Sequence, residues 1–255
     1  MVSDPKLMAP SVQVRAAHVE YNGQTIIDDL SLTLRAGQWT CLLGPSGVGK
    51  TTLLRLIAGL VNDESCHARV TCSDAKPLAG RFAWMAQQDL LLPWLSVIDN
   101  VLVGARLRNE TIDAERRDRA HELLTDLGLG DTCEHLPAEL SGGMRQRAAL
   151  ARTLYEDASV VLMDEPFSAL DVITRHRLQT LAAERLAGRT VLLITHDPLE
   201  ALRLGHSVYV LQGRPANLGE VLEPDGSPPR AADRNDVLHQ YAQLLERLDA
   251  AGSMQ

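Results

Sequence analysis

Trp39-Thr40-Cys41-Leu42-Leu43-Gly44-Pro45-Ser46-Gly47-Val48-Gly49-Lys50-Thr51 opens on a nearly continuous apolar run and passes directly into a glycine-spaced loop. The apolar run suits a strand buried on both faces. Gly44 to Thr51 fits G-x-x-x-x-G-K-[ST], the loop whose backbone N–H groups cradle nucleotide phosphates. Lys50 to Ala58 then reads as a helix, closed by Gly59 in the left-handed conformation that helix ends favour. Strand, loop and helix in this order predict an α/β domain with ligand chemistry at the carboxyl ends of its strands. By itself the loop says only that a nucleoside triphosphate is bound.

Working outward, Val12 to Ala16, Ile26-Ile27 and Leu30 to Leu34 have the short alternating character of antiparallel strands. Val160 to Met163 and Thr190 to Ile194 are apolar throughout or nearly so, and read as further buried parallel strands. Between about Gln88 and Ser159 the pattern turns helical. Ala120, Leu123, Leu124 and Leu127 fall at helical spacing before Gly128. The expected fold is therefore α/β. It has a phosphate-loop NTPase core with a mostly parallel sheet, an antiparallel β subdomain, and a helical subdomain inserted at about 88–159. That ATPase domain is expected over 1–221. Residues 222–255 read as a Pro-punctuated linker, Leu222 to Pro229, and a C-terminal amphipathic helix. Its Val237, Leu238, Tyr241, Leu244, Leu245 and Leu248 share one face, which is expected to pack on the core.

Bulk properties narrow the function classes. The 255 residues carry a formal net charge of -8, with Lys and Arg scattered, so no electrostatic footprint for nucleic acid is present. Cys41, Cys66, Cys72 and Cys133 lack metal-ligand spacing, and Cys41, inside an apolar strand, reads as a small buried hydrophobe. Reduced thiols are the default expectation. Met1 to Pro5 have neither the basic nor the apolar segment of a secretory signal. No apolar run approaches the eighteen or so residues that cross a bilayer.

Several other motifs carry chemistry. Gly44, Gly47 and Gly49 allow close backbone approach to phosphates, and Lys50 is a point charge for the β and γ phosphates. Thr51 offers a hydroxyl to Mg²⁺. In Val160-Val161-Leu162-Met163-Asp164-Glu165 the strand delivers Asp164 to its carboxyl end, where it can hold Mg²⁺ through water. Glu165 is the candidate for polarising the attacking water. Thr195-His196-Asp197 closes another apolar strand and sets a histidine just beyond its carboxyl end. Leu140-Ser141-Gly142-Gly143-Met144-Arg145-Gln146-Arg147 joins a strong N-cap residue to a glycine pair at a helix start.

This set, in this order, resembles the ATP-binding cassette (ABC) ATPases over about Val12 to Leu211. The resemblance implies head-to-tail homodimers that close over ATP and Mg²⁺. Pro45, Ser46 and Val48 would complete the loop, and Thr52 would add a phosphate contact. Ser141, Gly142 and Gly143 would face the nucleotide bound by the other subunit. Asp171, in Pro166-Phe167-Ser168-Ala169-Leu170-Asp171, would organise the dimer interface, and His196 would be the switch histidine that contacts the γ-phosphate. Tyr21 stands where the family stacks an aromatic on adenine. Gln87 fits the glutamine that links Mg²⁺ and water to the helical subdomain; Gln88 is its neighbour, and spacing to Pro93 favours Gln87. The apolar Leu90-Leu91-Leu92-Pro93-Trp94-Leu95 either fills the subdomain core or lines a groove for a helix of a membrane partner.

Leu91-Leu92-Pro93-Trp94 and Gly213-Arg214-Pro215 look most like importers of the nitrate, sulfonate and taurine group. The block Met85 to Trp94 is similar to subunits for uptake of the thiamine-precursor pyrimidine. Transmembrane permease subunits, a solute-binding protein and a peripheral place on the cytoplasmic membrane face follow from that likeness, with no nucleic acid. A soluble ABC protein of DNA repair or translation is the rival of another class, although it tends to carry long coiled-coil insertions or two cassettes. A small-molecule kinase would leave the Ser141 run and His196 without a role. Ser65-Cys66-His67 stands where relatives have Ser-Gly, a departure that concerns a local turn.

Overall fold

The computed structural model describes residues 9–61, 63 and 65–253; Met1 to Pro5, on which the reading of the amino terminus rests, lie outside them. The chain forms two compact units. One comprises the chain through Phe82, residues 159–164 and the chain from Leu186 onward; the other comprises 83–158 and 165–185. Elements are numbered in chain order through both.

In the first unit, β1 (Val12–Tyr21) pairs antiparallel with β2 (Gln24–Leu34) on one side. β4 (His67–Cys72) pairs with β1 on the other. The alternation read in the sequence appears here as one buried and one wetter face. β3 (Trp39–Leu43), β6 (Val160–Asp164) and β7 (Thr190–Ile194) are buried at every residue. β3 lies between β7 and β8 (Ser207–Gln212), parallel to both, and β6 runs parallel to β7. A short β9 (Asn217–Leu218) returns antiparallel on β8. The sheet's faces are covered by α1 (Lys50–Ile57), α7 (Pro198–Leu204) and α8 (Asn235–Ser253). Continuous apolar strands follow from that two-sided cover, because neither face meets water. Cys41 is fully buried, and burial pushes its thiol pKa well up, so it packs as a hydrophobe.

β5 (Phe82–Met85) leads into the second unit. There α2 (Val97–Val101) and α3 (Val103–Leu107) precede α4 (Ala114–Asp126) and α5 (Gly142–Tyr155), and α2, α4 and α5 pack together. Gly128 follows α4 at φ +70°, a left-handed turn that favours glycine. The boundary differs from the expected 88–159 because residues 165–185, with α6 (Val172–Arg185), belong to this unit too. Polar ties explain the grouping: Arg177 donates to the Asp126 carbonyl at 2.8 Å, and Arg185 pairs with the Asp126 carboxylate. The run Leu90 to Leu95 only partly fills the core of this unit. Leu91 is buried, whereas Leu90 is 55% and Trp94 70% exposed. The fully buried Asn100 holds the run's backbone, exchanging bonds of 2.7 and 3.1 Å with Leu92 and donating to Leu95 O at 3.0 Å.

The segment read as a linker is tied down. Leu222 exchanges backbone bonds with Val208, and Arg230, 2% exposed, donates to the carbonyls of Leu202, Gly205, Pro224, Asp225 and Gly226 at 2.7 to 2.9 Å. A composition of Pro, Gly and Ser reads as linker because it lacks a side-chain core; here one guanidinium satisfies the backbone instead. Arg230→Leu should destabilise the protein by about 3 kcal/mol, since charge-assisted bonds are lost and buried carbonyls stranded. Thermal unfolding of the two chains checks this, and an unchanged midpoint would contradict it. The α8 stripe is split as well. Val237, Leu244 and Ala251 are buried one heptad apart, but Leu238 and Leu245 remain 51% and 44% exposed. One face of a helix reaches the core, and the residues beside it do not. Upstream of β4, Ser65 donates through its N–H and hydroxyl to the Asp63 carboxylate at 3.0 and 2.7 Å, forming the turn before His67.

Candidate active site

In the first unit, the buried β3 delivers Gly44 to the end of the sheet. Gly44 adopts φ +152°, and a Cβ there would lie 2.6 Å from the Leu211 carbonyl; Gly49, at φ +104°, would meet Ile26 Cγ2 at 3.0 Å. Glycine is required at both by close approach as well as by conformation. Ser46 and Gly47 form the exposed crest of the loop, Pro45 is half-buried and Val48 is buried. Gly49 caps α1 with no side-chain hydrogen bond to the helix's first N–H groups. That leaves positive potential and donors directed at the loop, the arrangement that receives phosphate.

Lys50 is buried, and its Nζ donates to the Gly44 and Pro45 carbonyls at 2.7 and 2.8 Å. The ammonium is thus folded over the same loop that would hold an anion. Thr51 Oγ1 donates to Asp164 Oδ2 at 2.7 Å, with Asp164 only 2% exposed at the end of β6. A hydroxyl and a carboxylate oxygen are the hard donors that suit Mg²⁺, so the residues present fit that ion. Thr52 follows, half-buried, on α1. His196 is exposed beyond β7. The turn it occupies is built by Asp197, whose N–H donates to Thr195 Oγ1 at 3.0 Å and whose carboxylate accepts from Leu199 N at 2.9 Å as the cap of α7. Tyr21 is 69% exposed at the end of β1.

The second unit holds the other expected residues. Glu165 follows Asp164 directly and adopts φ +50°, a left-handed conformation that costs a non-glycine residue about 1–3 kcal/mol. Its carboxylate Oε2 accepts from Gln87 Nε2 at 3.3 Å, which selects Gln87 over Gln88 as the residue that meets it. Ser141 caps α5, its hydroxyl accepting from Met144 N at 3.3 Å, and Ser141 and Gly142 are exposed. A Cβ on Gly143 would come within 3.2 Å of the Ala169 carbonyl. Asp171 is exposed and accepts from Thr174 N at 3.0 Å; the Thr174 N–H and hydroxyl hold its carboxyl below the usual range. Gln87, Gln88, Asp89, Leu90, Gly142, Arg145, Gln146 and Ala169 line one open groove of about 420 Å³.

Two polar side chains of α5, inside the run Leu140 to Arg147, carry contacts that the motif by itself does not assign to them. Arg145 Nε donates to Asp89 Oδ2 at 3.1 Å, and the buried Gln146 bonds to the Glu165–Ala169 loop. The available signal was a glutamine on the apolar side of a helix, among Ala148, Ala149 and Ala151.

The sequence matches the family described as ABC transporter over residues 27–168, more than half of the chain. The chain belongs to this family. An uncharacterized ABC transporter ATP-binding protein of Haemophilus influenzae is 40% identical over 93% of the chain and 98% of its own length. The aliphatic sulfonates import ATP-binding protein SsuB 1 of Rhodococcus jostii is 47% identical over 75% of each chain. SsuB 2 of Burkholderia cenocepacia is 40% identical over 93% of this ABC protein and 87% of its own length. Among solved structures, a dimeric post-hydrolysis state of the ATP-binding cassette MJ0796 with ADP and Pi superimposes with a TM-score of 0.73 at 25% identity. It covers 84% of this chain and 99% of its own. The chain is an ABC ATPase, and among the described residues no helix is long and apolar enough to cross a membrane.

Proposed function

We propose that this ABC ATPase is the energising subunit of an importer for a small solute. It works as a head-to-tail homodimer beneath permease subunits at the cytoplasmic membrane face, in a system with a solute-binding protein. The observation that carries this reading is a division of chemistry within one chain. The first unit has a phosphate cradle with Lys50 and the Thr51–Asp164 pair, and the second has a serine-capped, glycine-paired helix end whose Ser141 and Gly142 are exposed. In the dimer, Ser141, Gly142 and Gly143 of one copy roof the nucleotide cradled by Gly44 to Thr52 of the other. ATP then holds the copies together and hydrolysis releases them.

The residues take distinct parts. The loop amides, the open start of α1 and Lys50 bind the phosphates. Tyr21 stacks on adenine, and Asp171 orders the interface. His196 donates to the γ-phosphate and orients it, and Glu165, held by Gln87, accepts the proton of the attacking water. Thr51 and Asp164 would hold Mg²⁺, which would supply positive charge against the phosphates. Asp164→Asn keeps the Thr51 hydrogen-bond acceptor but removes a charge. It should weaken nucleotide binding about tenfold with magnesium and leave magnesium-free binding unchanged. Titration of a fluorescent nucleotide with and without EDTA measures both; equal losses in the two conditions would exclude the magnesium role.

An organosulfonate cargo rests on the importers named among the relatives, and a thiamine-precursor pyrimidine rests on the block Met85 to Trp94. The exposed Leu90 and Trp94 offer an apolar surface for a permease helix. The test is assembly. With magnesium and a non-cleavable ATP analogue the chain should dimerise, and it should copurify with membrane-spanning subunits. A chain that stays monomeric even beside its permease, or that copurifies with ribosomes or DNA instead, overturns the proposal. The ligand retained by the associated solute-binding protein decides between the cargoes.

A further inference from the structure

The carbonyl of Glu165 is held with unusual completeness. It accepts from Gln146 Nε2 at 2.9 Å, from Ser168 Oγ at 3.0 Å and from Ser168 N at 3.3 Å. The other end of the Gln146 amide accepts from Ala169 N at 2.8 Å, so both ends of one buried side chain are spent on the loop that begins with Glu165. Glu165 itself is left-handed at φ +50°, a conformation that persists only where surrounding structure enforces it. On the same helix, Arg145 bonds to the Asp89 carboxylate, and Arg152 donates to the carbonyls of Asp89 and Leu90 at 2.7 and 2.8 Å. These bonds fix the chain two residues beyond Gln87, the residue that meets the Glu165 carboxylate.

We infer that Gln146 is a positioning residue for the hydrolytic step. It clamps the strained backbone of Glu165 so that the carboxylate points where its water stands, and it ties that geometry to α5, the helix begun by Ser141. This rests on the assignment of Glu165 made above. A buried amide could serve packing alone, but an amide of that kind need not return both its donor and its acceptor to a single strained loop. The helix end that roofs one nucleotide and the base that hydrolyses the other then belong to one braced body.

Steady-state and single-turnover ATP hydrolysis by the full chain test the inference. Gln146→Met preserves volume and removes the clamp. Its kcat should fall about tenfold or more, with the ATP KM within about twofold, because only orientation in the transition state is lost. In a Glu165→Gln background the same substitution should lower the residual single-turnover rate no further, since groups acting as one unit are non-additive. Ser168→Ala, at an exposed position, removes a second donor without touching the core and should act in the same direction even if Gln146→Met folds poorly. A wild-type kcat in both Gln146→Met and Ser168→Ala, or losses that add to that of Glu165→Gln, overturns the positioning role while leaving Glu165 as the base. Turnover at the wild-type rate by Glu165→Gln overturns the base assignment and this inference together.

Discussion

Glu165→Gln should bind ATP with near wild-type affinity and hydrolyse it about a thousandfold more slowly, the size of effect expected when a general base is removed. Gln is nearly isosteric and can still meet Gln87 Nε2 through its carbonyl oxygen, so the 3.3 Å contact and the left-handed backbone survive. What is lost is the ability to take a proton from water. Because ATP remains while hydrolysis stalls, the closed dimer should accumulate and elute as twice the monomer mass with magnesium and ATP. Rapid turnover by this variant would remove Glu165 from its role, and stalled hydrolysis without a dimer would remove the composite pocket.

Lys50→Ala should weaken ATP binding about a hundredfold or more, since a buried charge-assisted contact to phosphate is lost. The geometry sharpens the expectation. Lys50 Nζ already donates to the Gly44 and Pro45 carbonyls, so its ammonium sits over the loop and braces the cradle as well as charging it. Lys50→Arg should restore charge but not shape: a planar guanidinium is larger than an ammonium, and Gly44 beneath it lies so close to Leu211 that a Cβ there would stand 2.6 Å from the Leu211 carbonyl oxygen. Isothermal titration of ATP into each chain provides the measurement. Unchanged affinity in Lys50→Ala would contradict the assignment of the loop.

Both predictions follow from residues visible in the sequence, and the reasons for that visibility are local. A strand buried on both faces must be apolar along its length, so β3, β6 and β7 could be read as strands without knowing their neighbours. A loop that presses its backbone against Leu211 and Ile26 must be glycine where it presses. Asp164 and Glu165 announce themselves as charges at the end of an apolar run, and Ser141 as a cap before a glycine pair. The helical character of the inserted region was legible for the same reason, since Ala120, Leu123 and Leu124 repeat at the helix period on a face that is buried.

Elsewhere the pattern was indifferent. Leu90 to Leu95 is apolar throughout, yet the buried Asn100 turns the backbone so that Leu91 goes inward and Trp94 outward. The last helix shows one apolar stripe in sequence, but of its six residues only Val237 and Leu244 are buried. Pro- and Gly-rich residues after Leu222 looked like a tether, because the charge that holds them, Arg230, gives no periodic signal.

The amino-acid order by itself determined the α/β class, the phosphate loop, the acidic pair and the capped helix, because each is a short-range demand of backbone geometry, burial or charge. Tertiary structure alone decided that Gln87 and not Gln88 meets Glu165, that residues 165–185 join the helical unit, and that Gln146 clamps the loop after the acidic pair. Those outcomes depend on hydrogen bonds between groups far apart in the chain, whose partners become defined only once burial has brought them together and left each polar atom needing one.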